Sequence, residues 1–429
     1  MEMLDGLTDS AINRYKTILL GFVIVTSAAM YVLYMPWSPP GEWIKHLESI
    51  RVAVMHSVRN RSDVFLKNFN VILRGYNRHT STNGSATTTD ATIAPPEGPE
   101  VNKSGRYVSM CSGNFDGRRI GNQLFNFAAM LHVARLTGRR VAMVRRHPNG
   151  WLDRWFEVPV TRVDHIANEL CPFATVGEAA GLLYYHQMST LFNRSDVAGK
   201  SLLVCGWFQS WKYTVGIESA LGHHLRLLPN VSAAVHSFLD QIRPSTWKGQ
   251  SFSRIGIHVR AGDVMRRDKW DFGYTIPQRP YFEQAMSRFV SEQTKGQQQT
   301  GRVQFVVTSD SLQWAKTAIN FTQIVDRLNQ TYSSSSSSSS RKQRVLVDVA
   351  YSEGQDAGFD LALLSLCDGV IMSTGTYGWW GAWLANKTTI YYSNWPRAGS
   401  PISGIFNRDD YFPPHWIPIG GPAFPCCQG

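Results

Sequence analysis

The chain has 429 residues, is 43% hydrophobic and 17% charged, and carries a formal net charge of +11 at neutral pH. That apolar share excludes a wholly disordered chain, and the length predicts more than one domain. Lys and Arg are spread along the sequence without a dense basic run, which argues against a nucleic-acid partner; the excess suits a surface near anionic glycans or lipids, or serves no function at all. The cysteines Cys111, Cys171, Cys205, Cys367, Cys426 and Cys427 offer no zinc-ligand spacing and suit an oxidising compartment.

In chain order, residues 1–16 read as a short cytoplasmic tail and 17–35 as a transmembrane signal-anchor. The run from Thr17 to Met35 is uncharged and apolar, lies between Arg14/Lys16 and a Pro-rich exit, and is close to the ~20 residues a bilayer-spanning helix needs. A cleaved leader is the competing reading, because Ser27-Ala28-Ala29 is a small-residue cluster, but the apolar run continues past it. Flanking charge leaves orientation open; the glycosylation acceptors do not. Asn60, Asn83, Asn102, Asn193, Asn230, Asn320, Asn329 and Asn386 each open an Asn-x-Ser/Thr triplet, and all follow the anchor. The expectation is a single-pass type II membrane protein with a lumenal body. Residues 36–105 read as a stem, whose part from His79 to Lys103 is too polar to bury a core.

The remaining residues suffice for two α/β domains, placed at 106–250 and 251–429. Tyr107 to Met110 reads as a strand. It leads into a glycine-punctuated loop, Gly113 to Gln123, and a helix with Leu124, Phe125, Ala128 and Leu131 at helical spacing and Gly138 as its stop. Arg118, Arg119, Asn122 and Gln123 stand at that helix entrance. The loop is neither a Walker A motif nor G-x-G-x-x-G. In the second half, strands are predicted at 254–259, 303–308, 345–350, 369–372 and 388–392. The glutamines 297–299 and the serine run 333–340 read as loops, and the Pro- and aromatic-rich tail after Pro401 as a segment packed back on the surface.

Two strand ends carry the chemistry. Arg254 to Val259 alternates as a strand and delivers Arg260 and Asp263 to its carboxyl edge, where open α/β sheets bind ligands. Arg260 is able to fork two hydrogen bonds onto phosphate oxygens; Asp263 is able to orient it or to accept an acceptor-hydroxyl proton. His258 is expected on the same side of the strand. An isolated Arg-x-x-Asp is more often a surface ion pair, and a lone histidine more often a core residue. The other strand end runs from Ser373 and Thr374 through Gly375 and Tyr377 to Gly378 and three tryptophans, Trp379, Trp380 and Trp383. Hydroxyls, glycines and a helix start suit a diphosphate; the tryptophans suit either a sugar or the core.

Together these segments resemble the galactoside α-1,2-fucosyltransferase family, glycosyltransferase family 11. The resemblance runs through Gly117-Arg118-Arg119-Ile120-Gly121-Asn122-Gln123-Leu124-Phe125, Gly206-Trp207-Phe208-Gln209-Ser210-Trp211-Lys212-Tyr213, His258-Val259-Arg260-Ala261-Gly262-Asp263, Val306-Val307-Thr308-Ser309-Asp310 and Ser373 to Ala385. It implies two Rossmann-like domains of GT-B type behind the anchor and stem, residence in the Golgi membrane, and GDP-fucose as a substrate. It further implies inverting transfer to O2 of a terminal β-galactoside on glycoprotein or glycolipid glycans, with no cofactor and no metal. On this reading Arg260 meets the diphosphate with His258 and Asp263 in support. Arg119, Asn122, Gln123, Ser309, Asp310, Ser373, Thr374, Tyr377 and Gly378 line the GDP-fucose site. No two aspartates stand two apart, so there is no D-x-D pair to bridge a metal to a diphosphate. Ala261 stands where the family has a second arginine, which Arg266 or Arg267 would then replace. The general base stays open among Asp263, Asp268 and Asp271. The alternatives are transfer to another acceptor position and a catalytically silent GDP-fucose or glycan binder.

Overall fold

The computed structural model describes residues 106–111, 119–144, 151–163, 172–177, 182, 184, 197–293, 300–333 and 344–425. The anchor, the stem, the loop residues 112–118 with Arg118, the glutamine run, the serines from 334, Cys171, Cys426, Cys427 and the acceptors Asn60, Asn83, Asn102 and Asn193 lie outside them. Among the described residues no helix is long and apolar enough to cross a membrane.

The first half runs β1 (Tyr107–Met110), α1 (Ile120–Thr137), β2 (Arg140–Val144), α2 (Trp151–Trp155), β3 (Thr161–Val163), β4 (Phe173–Gly177) and β5 (Ser201–Cys205). These strands form one sheet in the order β3-β2-β1-β5-β4, every neighbouring pair parallel. Two helices follow, α3 (Glu218–His224) and α4 (Pro229–Gln241). The second half runs β6 (Ser253–Val259), α5 (Arg267–Phe272), α6 (Arg279–Gln293), β7 (Thr300–Ser309), α7 (Leu312–Ala318), α8 (Phe321–Ser333), β8 (Arg344–Tyr351), α9 (Ala357–Ser365), β9 (Gly369–Met372), α10 (Thr376–Ala385), β10 (Thr388–Tyr392), α11 (Arg408–Tyr411) and β11 (Ile417–Ile419). Its sheet order is β11-β10-β9-β6-β7-β8, again parallel throughout.

Numbered from β6, that order is the 3-2-1-4-5-6 order of the doubly wound dinucleotide-binding fold, which reverses direction between β6 and β9. In the first half the order reverses between β1 and β5. Parallel strands need crossover helices on both faces, so they are buried on both sides. The runs Val-Ile-Met in β9 and Ile-Gly-Ile-His-Val in β6 show this burial. All five strands expected in the second half are present.

The halves meet where α1 crosses α10. Both helices are mostly apolar and buried on most sides. Phe125 of α1 lies 4.5 Å, ring to ring, from Trp379 and 5.2 Å from Trp380. Gly121 makes the approach possible: a Cβ there would sit 2.7 Å from the Thr376 carbonyl carbon. Helices buried on most sides belong inside a body, and the two tryptophans, both fully buried, are core. Trp383 packs on Trp380 at 5.3 Å and is half-buried.

Two expectations need correction. The tail after Pro401 does more than cover the surface: Tyr411, Phe412 and Trp416 are buried, Phe412 stacks on Tyr391 at 3.8 Å, and Ile417–Ile419 supplies the sixth strand of the second sheet. Its Pro-rich composition hid a strand of three residues. Helix α4, grouped with residues 106–250, places Val231, Val235 and Leu239 against Val306 and Leu363 of the second half. It is the first helix of the second sheet's packing layer, although it precedes β6 in the chain.

Candidate functional site

The carboxyl edges of β6 and β9 lie side by side at the second sheet's reversal point, and the two predicted strand ends meet there. The Arg260 amide donates to Ser373 Oγ at 2.8 Å, and the Ser373 amide to the His258 carbonyl at 3.0 Å. Arg260 turns back on its own loop: its Nε donates to Asp263 Oδ1 at 3.0 Å and its Nη2 to Oδ2 at 2.9 Å. The guanidinium lies over the Tyr274 ring, 4.5 Å from its centroid. Burial disfavours the charged guanidinium, but the fork to Asp263 and the contact with Tyr274 outweigh it and hold Arg260 above its ordinary value. Burial would raise Asp263; the Arg260 bonds outweigh it, and the carboxyl is held below its usual range.

Asp310, at the end of β7, accepts from the Ala261 amide at 2.8 Å and the Gly262 amide at 3.0 Å through one oxygen. It therefore shapes the Arg260–Asp263 loop. Ser309 Oγ accepts from the Ser311 amide at 3.0 Å and starts the next turn.

Gly375 explains how the Arg260 guanidinium reaches the start of α10. Its φ is +92°, and a Cβ would fall 2.4 Å from Arg260 Nη1. Only glycine fits both the conformation and the approach. Arg260 Nη1 is thus brought beside the amino-terminal turn of a ten-residue helix, whose free amides and dipole favour an anion.

The remaining predicted residues hold this arrangement from beneath. His258 is buried under the first turn of α10: its ring lies 5.2 Å from the Tyr377 ring, and a Cβ at 378 would fall 2.3 Å from His258 Nδ1. Burial drives its pKa down to about 4 against the opposing pull of Asp310, so the imidazole is neutral. His258, expected on the same side of the strand as Arg260, is instead packed beneath Gly378. Thr374 is fully buried, near the Thr275 carbonyl, and Tyr377 donates to the Ala357 carbonyl at 2.5 Å. These groups, with the Ser373 hydroxyl, support the loops rather than present free donors to a ligand.

The first half contributes from across the seam. Arg119, the residue before α1, is largely exposed and places Nη1 3.4 Å from Asp263 Oδ2. Asn122 Oδ1 accepts from Thr376 Oγ1 at 2.9 Å and from Gln209 Nε2 at 3.1 Å, tying α1, the segment after β5 and the start of α10 together. Gln123 is buried in α1. Beside Gln209, Phe208 takes φ +51°, a conformation that costs of order 1–3 kcal/mol in a non-glycine residue. Ser210 Oγ donates to the Asp410 carbonyl at 2.5 Å, Lys212 pairs with the Asp410 carboxylate, and Trp211 Nε1 donates to the Asp409 carbonyl at 2.9 Å. The Gly206–Tyr213 segment is therefore a strut to the tail. Cys111 and Cys205 form a disulfide at the carboxyl ends of β1 and β5.

Arg266 and Arg267 form exposed pairs with Asp268 and Asp271 at 2.9 and 3.0 Å, so neither arginine joins the Arg260 cluster. Ala261 is fully buried with its amide held by Asp310, so a side chain at that position starts from the interior. Two site residues carried no sequence signal. Tyr274 is placed under Arg260 by the loop following α5. Asp360 on α9 is buried and accepts from Ser352 Oγ; burial pushes its carboxyl up to about 7. Of the glycosylation acceptors, Asn230, Asn320 and Asn386 are exposed. Asn329 has both ends of its carboxamide bonded to the Val347 backbone at 2.9 Å, so its nitrogen is committed in the folded chain. Among the described residues no cluster of His, Cys, Asp or Glu forms a metal site.

Residues 205–420 match the family described as glycosyl transferase family 11. The chain is 25% identical over 345 residues to galactoside alpha-(1,2)-fucosyltransferase 1 of Homo sapiens, covering 80% of this chain and 82% of the relative. It is 26% identical over 306 residues to galactoside alpha-(1,2)-fucosyltransferase 2 of Mus musculus, covering 70% and 76%. Among solved structures, an Arabidopsis thaliana FUT1 mutant in complex with GDP matches with a TM-score of 0.43 at 17% identity, covering 80% of this chain and 82% of that one. POFUT1 in complex with GDP-fucose matches with a TM-score of 0.39 at 11% identity, covering 67% and 96%. On the family match and these relatives, the chain belongs to glycosyl transferase family 11, the family its sequence motifs resemble.

Proposed function

We propose that this enzyme transfers fucose from GDP-β-L-fucose to O2 of a terminal β-galactoside on glycoprotein or glycolipid glycans, with inversion at the anomeric carbon. The observation that carries the reading is the convergence of Arg260 and the start of α10 at the sheet's reversal point. That is where a nucleoside diphosphate binds in a doubly wound sheet. Family membership and the named activity of the relatives support the choice of reaction. The arrangement corresponds to a GT-B enzyme with the donor on residues 251–429 and the acceptor on the 106–250 side.

In this mechanism the anomeric C–O bond to the β-phosphate breaks as the galactose O2–C bond forms on the opposite face, and the O2 proton is lost to solvent after that bond has largely formed. Negative charge grows on the departing GDP. Arg260 and the α10 amides receive it, and Arg119 adds positive charge from across the seam. Such donors are fixed before the reaction begins, which is where electrostatic stabilisation is largest. Arginines and a helix start take the role a D-x-D-bound metal has elsewhere, so transfer proceeds without metal. Asp263 orients Arg260 through both carboxylate oxygens. A carboxylate so engaged and held below its usual pKa is a weak base, which suits a transition state in which leaving-group departure leads.

Residues 17–35 are proposed to anchor the enzyme in the Golgi membrane with the body in the lumen. The glycosylation acceptors, all beyond the anchor, support that orientation. The test is transfer of fucose by the full-length chain to type 1 and type 2 β-galactosides in the presence of EDTA, with linkage analysis of the product. Fucose on galactose O2 supports the proposal. Fucose at another position overturns the linkage, and GDP-fucose binding without transfer overturns the enzyme reading.

A further inference from the structure

A second concave site lies at the opposite edge of the first sheet, away from the Arg260 crevice. Helix α1 begins beside Asp263 and ends at the amino edges of β2 and β3. A cavity of about 820 Å3 opens there, with Leu131 and Val160 in its apolar floor and Arg135, Arg139, Arg140 and Glu218 around it. Its size is that of a site for a small organic ligand.

The charge in this cavity is unbalanced. Three arginines and one carboxylate, Glu218, stand among its lining residues, and none of the three arginines has a carboxylate partner among the described residues. Arg139 donates to the Lys200 and Val197 carbonyls, and Arg140 donates to the Tyr107 hydroxyl while lying over that ring at 5.0 Å. Those partners fix the side chains and leave their charge in place. Burial and the neighbouring Arg106 both disfavour the charged form of Arg139. Arg135 is exposed and lies along the Gly216 backbone. Like charges held together by neutral partners repel, and an oxyanion between them relieves that repulsion.

We infer that this cavity binds a phosphate or sulfate ester carried on a sugar-sized group, at a site separate from the donor crevice. The oxyanion faces the three guanidiniums, and the C–H surface of the sugar lies on the Leu131 and Val160 floor. Such esters occur on soluble glycans and on lipid headgroups. The inference does not depend on the reaction proposed above.

The test uses the full-length chain and measures equilibrium binding of a sulfated disaccharide, the same disaccharide without sulfate, and mixed micelles carrying phosphatidylinositol phosphate. Arg135→Gln removes one exposed charge, and Ala220→Glu sets a carboxylate on an exposed lining position of α3. The sulfated disaccharide, the phosphoinositide micelles or both bind, binding weakens with salt, and each variant weakens it about tenfold, as loss of one charge-assisted contact predicts. Fucose transfer to a neutral galactoside stays unchanged in both variants. Selective binding of the micelles identifies a lipid headgroup as the source, and selective binding of the disaccharide a glycan. Binding by neither probe, or equal binding with and without sulfate and in both variants, overturns the inference.

Discussion

The two reversal points of the molecule are built differently. At the end of β6 and β9 nearly every polar group already has a partner: Arg260 with Asp263, the Ala261 and Gly262 amides with Asp310, and the Arg260 amide with Ser373. Beyond β1 and β5, whose ends are joined by the Cys111–Cys205 disulfide, two side chains at the start of α1 reach across the seam instead. Arg119 extends across to Asp263, and Asn122 to Thr376. The second half is preorganised for an anion, and the first half is attached to it through a few polar contacts and one tight helix crossing. Substitutions in the second half should therefore act on the chemical step, and those in the first half on binding and on the seam.

The sharpest test of this contrast is Arg260→Ala. Loss of a preorganised donor to the leaving group typically costs about 10²–10³ in rate, and steady-state kcat should fall by that order while circular dichroism stays native. Near-normal kcat in a well-folded variant would falsify the assignment. Next is Gly375→Ala, which combines a positive φ with a 2.4 Å clash on Arg260 Nη1. Its cost should be about 2 kcal/mol of stability, seen as a lower Tm, with kcat reduced more than tenfold.

On the other side, Arg119→Gln should raise the KM for donor about tenfold with kcat less affected, since an exposed charge at 3.4 Å acts mainly on binding. A change confined to kcat would move Arg119 into the chemical step. Thr376→Val removes one hydrogen bond of the Asn122 cluster and should cost about 1 kcal/mol in denaturant unfolding. An unchanged midpoint would show that this hydrogen bond adds nothing to the stability of the seam.

A further test is a pH dependence. Asp360 keeps its proton in the folded protein up to about pH 7, while the unfolded carboxyl loses it near ~4. The unfolded state then binds fewer protons between these values, so stability falls as pH rises through that window and levels off above it. Asp360→Asn should remove that slope, and its stability relative to the unsubstituted chain should rise from about pH 5 to about pH 8. A parallel pair of stability profiles would show that Asp360 ionises in the folded state as readily as in the unfolded one.

Much of this was legible in the sequence because the information is local. The strands of the second sheet are apolar runs ended by glycine or polar residues, and Gly138 marks the end of α1 as a left-handed cap with φ +63°. The loop motifs after β6 and β9 named Arg260, Asp263, Ser373 and Gly375, because strand ends in such sheets collect polar residues. The roles within the motif were less legible. His258 and Arg260 are two apart in sequence, yet one lies under α10 and the other over Tyr274.

Sequence alone therefore determined the α/β class with its parallel strands, the two loops that meet at the second sheet's reversal point and the family they resemble. Periodicity, glycine positions and motif order depend only on neighbours along the chain. Tertiary structure decided which of those residues face the crevice, that Asp310 serves a loop 48 residues earlier, that the tail supplies a strand, and that three arginines share an unneutralised cavity. Those facts arise from contacts between segments far apart in sequence, set by how the sheets order their strands and how closely α1 and α10 approach.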